Sequence, residues 1–369
     1  MRISLRALNR TYLRRQLLDG GGGGESPRSA AEVVAHLVAV QAQEVDAPYV
    51  GLWARTRGFA HSGLQDALSG KGVVRGGLLR GTQHIVAAED YLWLRPLVSR
   101  SMGNTGLSAF RRQLDGIELS ELAAAAREVL GGRTMTRPQL AKALAARYPG
   151  RETMALAWAA QHQLALIHPP PTGMWRRRGH VHVALAEEWI GAPLQDAREG
   201  RVQELFRRYL KGCGPATVAD FQNWSGLRRV RDDIEGMRRS LRVYLADDGR
   251  ELFDLPDAEI ADADEPAPVR FLPEFDNLVL SHEDRGRIVA SAADRAVICP
   301  GYSVVRPTFL EDGFVAGTWE VRGETLAVQP FRPLLDPAAV CAEAARLLEF
   351  LQLPDGTTVK LEERQGADR

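Results

Sequence analysis

The stretch TMTRPQLAKALAARYP, residues 134–149, decides the predicted fold. Thr136 stands as an N-cap shortly before Pro138, and the apolar residues that follow recur at helical spacing, which predicts a short helix. A second helix is predicted for residues 152–167, ahead of three consecutive prolines. Residues 173–185, GMWRRRGHVHVAL, then alternate like a pair of strands around a basic tip. Helix, helix and basic hairpin in that order predict a winged helix, a variant of the helix-turn-helix.

The same order of elements returns further along the chain. Residues 203–227 predict a helix that stops at Gly212 and another that Thr217 opens and that ends near Trp224. Residues 227–255 then predict a third helix, a strand and a hairpin closed by Asp248 and Gly249. A further winged helix is therefore expected in this region.

The N-terminal region divides in a similar way. Residues 29–43 predict a helix with Ser29 as its N-cap, and residues 63–71 predict a helix ended by Gly70. Residues 73–87 alternate as a strand or hairpin. Before them, the glycine run 20–24 lacks the Lys-Ser or Lys-Thr of a phosphate loop, and it is expected to be a flexible loop.

From Val269 onward the pattern changes to short strands, including residues 286–292 and 296–305, with turn signals at 311–313 and 322–323. A small antiparallel barrel and a final helix are expected. The predicted fold class is therefore mainly α with β, consisting of three tandem winged-helix units and a C-terminal antiparallel β-barrel. The expected limits are 1–125, 126–195 and 196–262 for the three units, and 263–369 for the barrel and helix.

Composition restricts the functional classes. The chain has 369 residues, and Lys+Arg and Asp+Glu are equal at 47 each, so a nucleic-acid partner must be met by a local basic patch. The three cysteines are far apart and form no C-x-x-C pair, which disfavours a disulfide framework or a zinc ribbon and favours a reducing cytoplasm. No apolar run approaches the roughly 20 residues of a membrane span.

Two amides, Gln41 and Gln43, stand at the end of the helix predicted for residues 29–43. On a continuous helix, residues two apart point about 200° away from each other, and both would be ordinary helix residues. However, the residue before Pro48 is biased away from the helix, so the helix is expected to loosen here. In an extended segment both amides face the same way, and they can meet one small ligand such as a water molecule.

Other polar groups have both a functional and a structural interpretation. Arg80 and His84 share a parity on a predicted strand and would line a cleft, although a buried, hydrogen-bonded His84 is the alternative. His180 and His182 form an H-x-H pair, but the arginines before them favour a wing that contacts phosphate over a metal site. Four carboxylates in residues 272–285 are suited to acid/base work, yet sequence favours strand ends and turn caps.

Several ordered motifs carry a resemblance to a known family. They are HLVAVQAQ at 36–43, APYVGLWARTRGF at 47–59, LLRGTQHIVAAEDYLWL at 78–94, LPEFDNLVLSHEDR at 272–285 and DGFVAGTWE at 312–320. Together they resemble the winged-helix DNA glycosylase family typified by the actinobacterial azinomycin-resistance enzyme, over nearly the whole chain. That family's fold is three tandem winged helices and a β-barrel around a concave DNA-binding channel, which agrees with the units predicted above.

The resemblance implies a monofunctional glycosylase that hydrolyses the N-glycosidic bond of N7-alkylated purines, including crosslinked bases. It also implies self-resistance to a genotoxic natural product such as azinomycin B. The family's catalytic Gln-x-Gln motif is matched by Gln41 and Gln43. No cofactor and no metal are expected.

The expected partner is double-stranded DNA bound by a monomer at the cytoplasmic nucleoid. The expected DNA-binding residues are Arg80, His84, Arg176, Arg177, Arg178, Arg228, Arg229, Arg231, Arg238 and Arg239. The alternative from another class is a non-catalytic winged-helix DNA-binding protein, either a transcriptional regulator or a drug-protection factor, because fold alone does not settle function.

Overall fold

A computed structural model describes residues 1–20, 28–102, 105–196, 200–301 and 304–362, which form a mixed α/β fold with three sheets. Residues 21–24 of the glycine run lie outside the described residues. None of the described helices is both long and apolar enough to cross a bilayer.

The N-terminal part begins with a short strand and a helix and continues into helices and a hairpin. A capping box between Ser29 and Glu32 opens the second helix, as the sequence predicts for its start. A 3₁₀ turn over Leu79–Gly81 joins the two hairpin strands. The elements are β1 (Arg2–Ile3), α1 (Leu5–Arg15), α2 (Ala30–Leu37), β2 (Ala39–Gln41), α3 (Ala47–Trp53), α4 (His61–Ser69), β3 (Val73–Gly77), β4 (Gln83–Ala87) and α5 (Ala88–Met102).

The middle part contains the helix that the opening stretch predicts. Thr136 accepts a hydrogen bond from the Gln139 N–H, and the Gln139 side chain accepts one from the Thr136 N–H, so the predicted N-cap is confirmed. The second helix ends at Gln163, four residues earlier than expected, because residues 166 and 167 pair as a strand. The elements are α6 (Leu119–Leu130), β5 (Met135–Thr136), α7 (Arg137–Ala145), α8 (Thr153–Gln163), β6 (Leu166–Ile167), β7 (His182–Leu185) and α9 (Ala186–Ile190).

One six-stranded antiparallel sheet joins these two parts, in the order β2-β4-β3-β6-β7-β5. The junction is the pair Gly76 and Ile167. A Cβ on Gly76 would come within 2.9 Å of the Tyr91 hydroxyl oxygen and 3.0 Å of the Leu166 carbonyl oxygen. Glycine at this position therefore lets the two parts share a sheet.

The third part packs against the beginning of the chain. Its strand β8 pairs in parallel with β1, and Asp254 accepts two hydrogen bonds from the buried guanidinium of Arg15, at 2.6 and 2.8 Å. The first fifteen residues, assigned to the first unit from sequence, thus pack with the third. The elements are α10 (Arg201–Cys213), α11 (Val218–Ser225), α12 (Arg231–Glu235), β8 (Arg242–Ala246) and β9 (Glu251–Asp254).

The C-terminal part is an open sheet, so the expected antiparallel barrel is wrong. Among the described residues the strand order is β10-β11-β12-β13-β14, and the last strand is parallel to its neighbour because a helix crosses over between them. Residues 286–292 form no strand, and 292–298 are helical because Ser291 caps them. The elements are β10 (Arg270–Leu272), α13 (Asn277–Leu280), α14 (Ala292–Ile298), β11 (Thr308–Glu311), β12 (Phe314–Arg322), β13 (Thr325–Pro330), α15 (Pro337–Leu351) and β14 (Thr358–Leu361).

A hydrophobic core shared by the two ends of the chain brings the motifs at 36–59 and 272–285 together. Val34 and Tyr49 of the N-terminal helices pack in one cluster with Phe271, Phe309 and Leu347 of the C-terminal part. This packing brings residues 272–285 against residues 36–59, although the two motifs are far apart in sequence.

Candidate active site

Gln41 and Gln43 lie on an extended segment rather than on a helix. The helix α2 ends at Leu37, and Val38 adopts a positive φ of 68° with ψ −51°, which no regular helix continues through. The helix predicted for residues 29–43 is therefore six residues too long, because the chain leaves it to pair with β4. The loosening expected from Pro48 occurs well before that proline.

The strand turns both amides to one side. The Ala42 N–H donates to the Gln83 carbonyl at 2.8 Å, so pairing extends one residue beyond β2. Val40 and Ala42 are buried in the core shared with the C-terminal sheet. Since side chains alternate along a strand, Gln41 and Gln43 face away from that core.

The Gln41 side chain and the backbone around it are held by separate hydrogen bonds. It is 7% exposed, and its Oε1 accepts a hydrogen bond from the Arg80 Nη2 at 2.7 Å. Its backbone N–H donates to the Asn277 Oδ1 at 3.3 Å, and the Asn277 Nδ2 donates to the Ala39 carbonyl at 2.7 Å. The C-terminal motif therefore clamps the strand that carries the first amide.

The Gln43 side chain is exposed, and it is held by a single contact. Its Oε1 accepts from the backbone N–H of Gln83 at 3.3 Å. The Gln83 Oε1 is buried and has no hydrogen-bond partner among the described residues. A polar group left unpaired beside the motif favours occupancy by water or substrate.

A second guanidinium supports the residue between the two amides. The Arg75 Nη2 donates to the Ala42 carbonyl at 2.9 Å, and its Nη1 donates to the His168 Nδ1 at 2.6 Å. Because arginine only donates, the proton of this imidazole is on Nε2. Burial lowers the pKa of Arg75 to about 10 and the pKa of His168 well below its ordinary value.

A cleft of about 380 Å³ lies next to this segment, where the three parts of the chain meet. The first part contributes Gly77, Arg80, Gly81, Gln83, Arg95 and Val98, and Leu107 follows it; the middle part contributes Trp158, Gln161 and His162, and the third part Ser225, Gly226 and Arg228. Neither Gln41 nor Gln43 is among these lining residues. Each amide is hydrogen-bonded to a residue that does line the cleft: Gln41 to Arg80, and Gln43 to Gln83.

The cleft lining is cationic. It includes three arginines, and the part of the lining that the structure describes has no aspartate or glutamate. Trp158 is half-buried, and its ring is covered by the Arg137 guanidinium at 4.2 Å. A cavity with this charge and an aromatic wall is suited to a nucleic-acid backbone and bases.

The carboxylates of residues 272–285 have structural partners. Asp276 accepts two hydrogen bonds from the buried Arg55 guanidinium, both at 2.8 Å, and it also caps α13. Asp284 pairs with Arg250 on the surface. The structural interpretation of these two carboxylates is thus confirmed, and the motif's role here is to fix the site's position.

The predicted strand over Arg80 to His84 differs from the structure in its first three residues. Arg80 lies in the 3₁₀ turn with φ 55°, and β4 begins only at Gln83, so the parity argument fails for Arg80. His84 is 2% exposed, and its Nδ1 donates to the Thr82 carbonyl at 3.0 Å. The alternative of a buried, hydrogen-bonded histidine is what the structure has, and this ring is not on a surface that DNA can contact.

The basic tip at 176–178 lies in the long connection between β6 and β7. Arg176 donates to the carbonyls of Leu351 and Gln352 at the end of α15, and its backbone N–H bonds the Asp46 carboxylate. Arg178 pairs with the same Asp46 at 2.8 Å. Arg177 is exposed. None of these three arginines belongs to the described lining of the cationic cleft. Arg176 and Arg178 instead line another cavity.

The histidines after this tip are separated rather than paired. His180 is exposed, while His182 begins β7 and its Nδ1 lies 3.2 Å from the Thr172 hydroxyl oxygen. The second ring is thus used by the fold.

The basic residues of the third part fall into two groups. Arg228 lines the cationic cleft, and Arg229, Arg231 and Arg239 are exposed. Arg238 instead donates to the carboxylates of Glu235 and Glu251. Its charge is therefore compensated within the fold.

Sequence reasoning missed several residues of this site. Arg75 lies in the strand or hairpin predicted for residues 73–87 and Asn277 in the motif at 272–285, and their polar side chains in apolar runs were the available signal. Trp158, Gln161 and His162 come from the end of a helix whose residues gave no indication that they would face the first part. Their proximity depends on the sheet junction at Gly76.

The site and the fold agree with a class of DNA repair enzymes. A family model described as DNA glycosylase AlkZ-like matches residues 34–350, so the chain belongs to the AlkZ-like family of DNA glycosylases. It is thus an enzyme that acts on DNA, and the non-catalytic alternative is set aside.

Two comparisons describe its relatives. The chain is 25% identical to an interstrand DNA cross-link repair glycosylase of Streptomyces sahachiroi, over 90% of this chain and 91% of that one. The structure resembles that of the Streptomyces sahachiroi DNA glycosylase AlkZ with a TM-score of 0.82 and 21% identity, over 98% of this chain and 100% of that one.

Proposed function

We propose that the protein hydrolyses the N-glycosidic bond of N7-alkylated purines in double-stranded DNA. Alkylation at N7 makes the purine cationic, so the base leaves as a neutral molecule and needs no strong general acid. The water oxygen bonds to C1′, the electron pair of the C1′–N9 bond neutralises the purine, and the proton of the water is lost to solvent.

One observation carries this proposal. Two neutral amides, Gln41 at the end of β2 and Gln43 two residues later, are hydrogen-bonded to residues that line a cleft, and the described lining of that cleft has arginines but no carboxylic acid. The described lining therefore offers no carboxylic acid to protonate a poor leaving group, and His162 is its one imidazole. Such a site suits a substrate that alkylation has already activated, and it spares undamaged purines.

In this proposal Gln41 and Gln43 position the attacking water and stabilise the sugar as it becomes oxocarbenium-like. Amides accept through the carbonyl and donate through the NH2 group. The exposed Gln43 is the one that water reaches directly, whereas the buried Gln41 is held by the fold. The Gln43 carbonyl dipole is proposed to face developing positive charge in the transition state, whereas the Gln41 oxygen accepts from Arg80 and its NH2 group orients the water.

The proposal extends to architecture and substrate size. Helices followed by a strand pair recur in the three parts, in support of three winged helices around a concave DNA channel. A cleft at the meeting point of three parts is open to bulky bases, and the cross-link repair relative supports action on interstrand crosslinks. Self-resistance to a genotoxic product such as azinomycin B follows in the same proposal.

DNA contacts are proposed for the exposed arginines with no carboxylate partner recorded in the described chain. They are Arg177, Arg228, Arg229, Arg231 and Arg239, with the surface-paired Arg178 beside them. A monomer bound to nucleoid DNA is the form expected to act.

A glycosylase assay tests this function. The purified protein is incubated with duplexes that carry N7-methylguanine, a bulkier N7-alkylguanine, a crosslinked N7 adduct or no damage, and base release is followed by chromatography. We expect release from every N7 adduct and none from the undamaged duplex. Failure on every adduct would overturn the proposed substrate class.

A further inference from the structure

We infer that Arg80 is a positioning residue that holds the Gln41 amide in one orientation, rather than a residue that contacts DNA phosphate. The inference rests on the proposed function, because it assigns Arg80 a role through Gln41. It concerns a guanidinium that connects the catalytic strand to the third part of the chain.

The contacts of Arg80 fix which atom of Gln41 faces it. The Arg80 Nη2 donates to the Gln41 Oε1 at 2.7 Å, and its Nη1 donates to the Trp224 carbonyl at the end of α11. A guanidinium has only donors, so the Gln41 oxygen must face Arg80 and the Nε2 must face away. The amide cannot flip without losing this hydrogen bond.

Arg80 has an unusual backbone conformation, and Gly226 packs against its backbone. Arg80 adopts φ 55° and ψ 14°, a left-handed conformation that costs an L-residue about 1 kcal/mol or more. Gly226 caps α11 directly against it, since a Cβ there would lie 3.1 Å from the Arg80 nitrogen and 3.2 Å from its Cα. A strained residue held by its surroundings is typical of a functional position.

The charge of Arg80 is available to the amide. Burial lowers the pKa of Arg80 to about 10, so the group still carries its proton at neutral pH. The described lining of the cleft has no carboxylate that would compete for its donors. A charged donor on the oxygen polarises the amide and makes Nε2 a stronger donor toward the reacting groups.

A phosphate contact would require different geometry. Both terminal nitrogens of Arg80 already donate to protein oxygens, whereas Arg228 lines the same cleft and is exposed. Arg80 is thus engaged in hydrogen bonds within the protein, whereas Arg228 is exposed in the cleft and accessible to an anion. The two side chains give a matched comparison.

A double-mutant cycle tests the inference. Single-turnover release of N7-methylguanine is measured for Arg80→Met, Gln41→Ala and the double variant, together with DNA affinity at several salt concentrations. We expect each single variant to lose on the order of 10²-fold in rate, and the double variant to lose little more than either. The salt dependence of DNA binding should stay unchanged in Arg80→Met and become shallower in Arg228→Met.

Thermal melting of each variant checks folding. If Arg80→Met unfolds, Arg80→Lys replaces it, because lysine keeps the charge but cannot donate to both oxygens. The positioning role would be overturned if the rate loss of the double variant equalled the product of the two single losses. A shallower salt dependence of DNA binding in the Arg80 variant would also overturn it. A wild-type rate in Gln41→Ala would instead overturn the proposed role of Gln41 itself.

Discussion

At the residue scale, the buried pair of Arg55 and Asp276 explains why the C-terminal motif matters to a site at the other end of the chain. The carboxylate accepts both donors of the guanidinium at 2.8 Å, and both side chains are almost fully buried. The next residue, Asn277, then bonds both Ala39 and Gln41. The position of the first amide therefore depends on this ion pair.

Asp276→Asn should strongly destabilise the protein. The substitution leaves a buried guanidinium without its counter-charge, which costs about 3–5 kcal/mol in comparable sites. Urea denaturation gives the free energy of unfolding. As a control, Glu128→Gln removes the exposed pair with Arg147 and should cost at most about 1 kcal/mol. Equal losses in the two variants would contradict the structural role of Asp276.

His84 should make the protein less stable in acid. Burial, and then the charge of Arg80, lower the pKa of His84 to about 3, while an unfolded histidine titrates near 6.5. Between those values the unfolded chain binds the proton that the native ring refuses. The contribution is therefore fully present above about pH 6.5 and is lost as the pH falls.

From pH 7 to pH 5 this residue should lower the free energy of unfolding by about 2 kcal/mol. His84→Asn retains a donor for the Thr82 carbonyl without titrating, so its loss between the two pH values should be smaller by that amount. His180→Asn, at an exposed position, should retain the wild-type loss. An unchanged pH dependence in His84→Asn would exclude this assignment.

At the element scale, the C-terminal residues of helix α11 contact Arg80, which lies in the 3₁₀ turn and hydrogen-bonds Gln41. Gly226 ends the helix with φ 76°, and a Cβ at this position would lie 3.1 Å from the backbone nitrogen of Arg80. The terminal carbonyl of Trp224 also accepts from Arg80. The end of this helix thus forms part of the wall behind Gln41.

Gly226→Ala should cost more stability than Gly191→Ala. Both glycines cap a helix in the left-handed region, with φ 76° and 85°, so both substitutions incur the backbone cost of about 1–2 kcal/mol. Only at position 226 would the new methyl meet neighbouring atoms, whereas position 191 is open. Comparison of the two free energies of unfolding isolates this contact, and equal values would contradict it.

Local signals in the sequence predict most of the elements but not where strands interrupt helices. Capping at Thr136 and Thr217, and the turn at Asp248 and Gly249, depend on residues within a few positions, and the structure confirms them. The end of α2 does not depend on nearby residues alone. Val38 adopts a positive φ there, and β2 can then pair with β4 some 45 residues later. Such pairing is a tertiary effect that the intrinsic secondary-structure propensities of the residues do not predict.

At the scale of the whole molecule, the site forms where distant parts of the chain meet. The strand β1 pairs with β8 across most of the chain, and the cleft takes its lining from three parts. The family motifs identified Gln41 and Gln43 as candidates from sequence. Arg75, Trp158 and Arg228 became neighbours of that segment only through the shared sheet and the packing of α11.

The exposed arginines of the third part should account for a measurable share of the salt dependence of DNA binding. Arg229→Gln and Arg231→Gln should each reduce the slope of log affinity against log salt by about 1 if the side chain neutralises one phosphate. Arg346→Gln on α15, whose side chain pairs with Glu343, serves as the control and should leave the slope unchanged. Equal slopes in all four proteins would remove these arginines from the DNA interface.

The central claim is that the amides of Gln41 and Gln43 promote the attack of water on an activated glycosidic bond. The most direct test compares the wild-type protein with the Gln41→Ala, Gln43→Ala double variant in single-turnover release of N7-alkylguanine from a duplex bound at saturation. We expect the double variant to bind the duplex but to release the base at least about 10²–10³-fold more slowly. Equal rates of base release in the two proteins would contradict the claim.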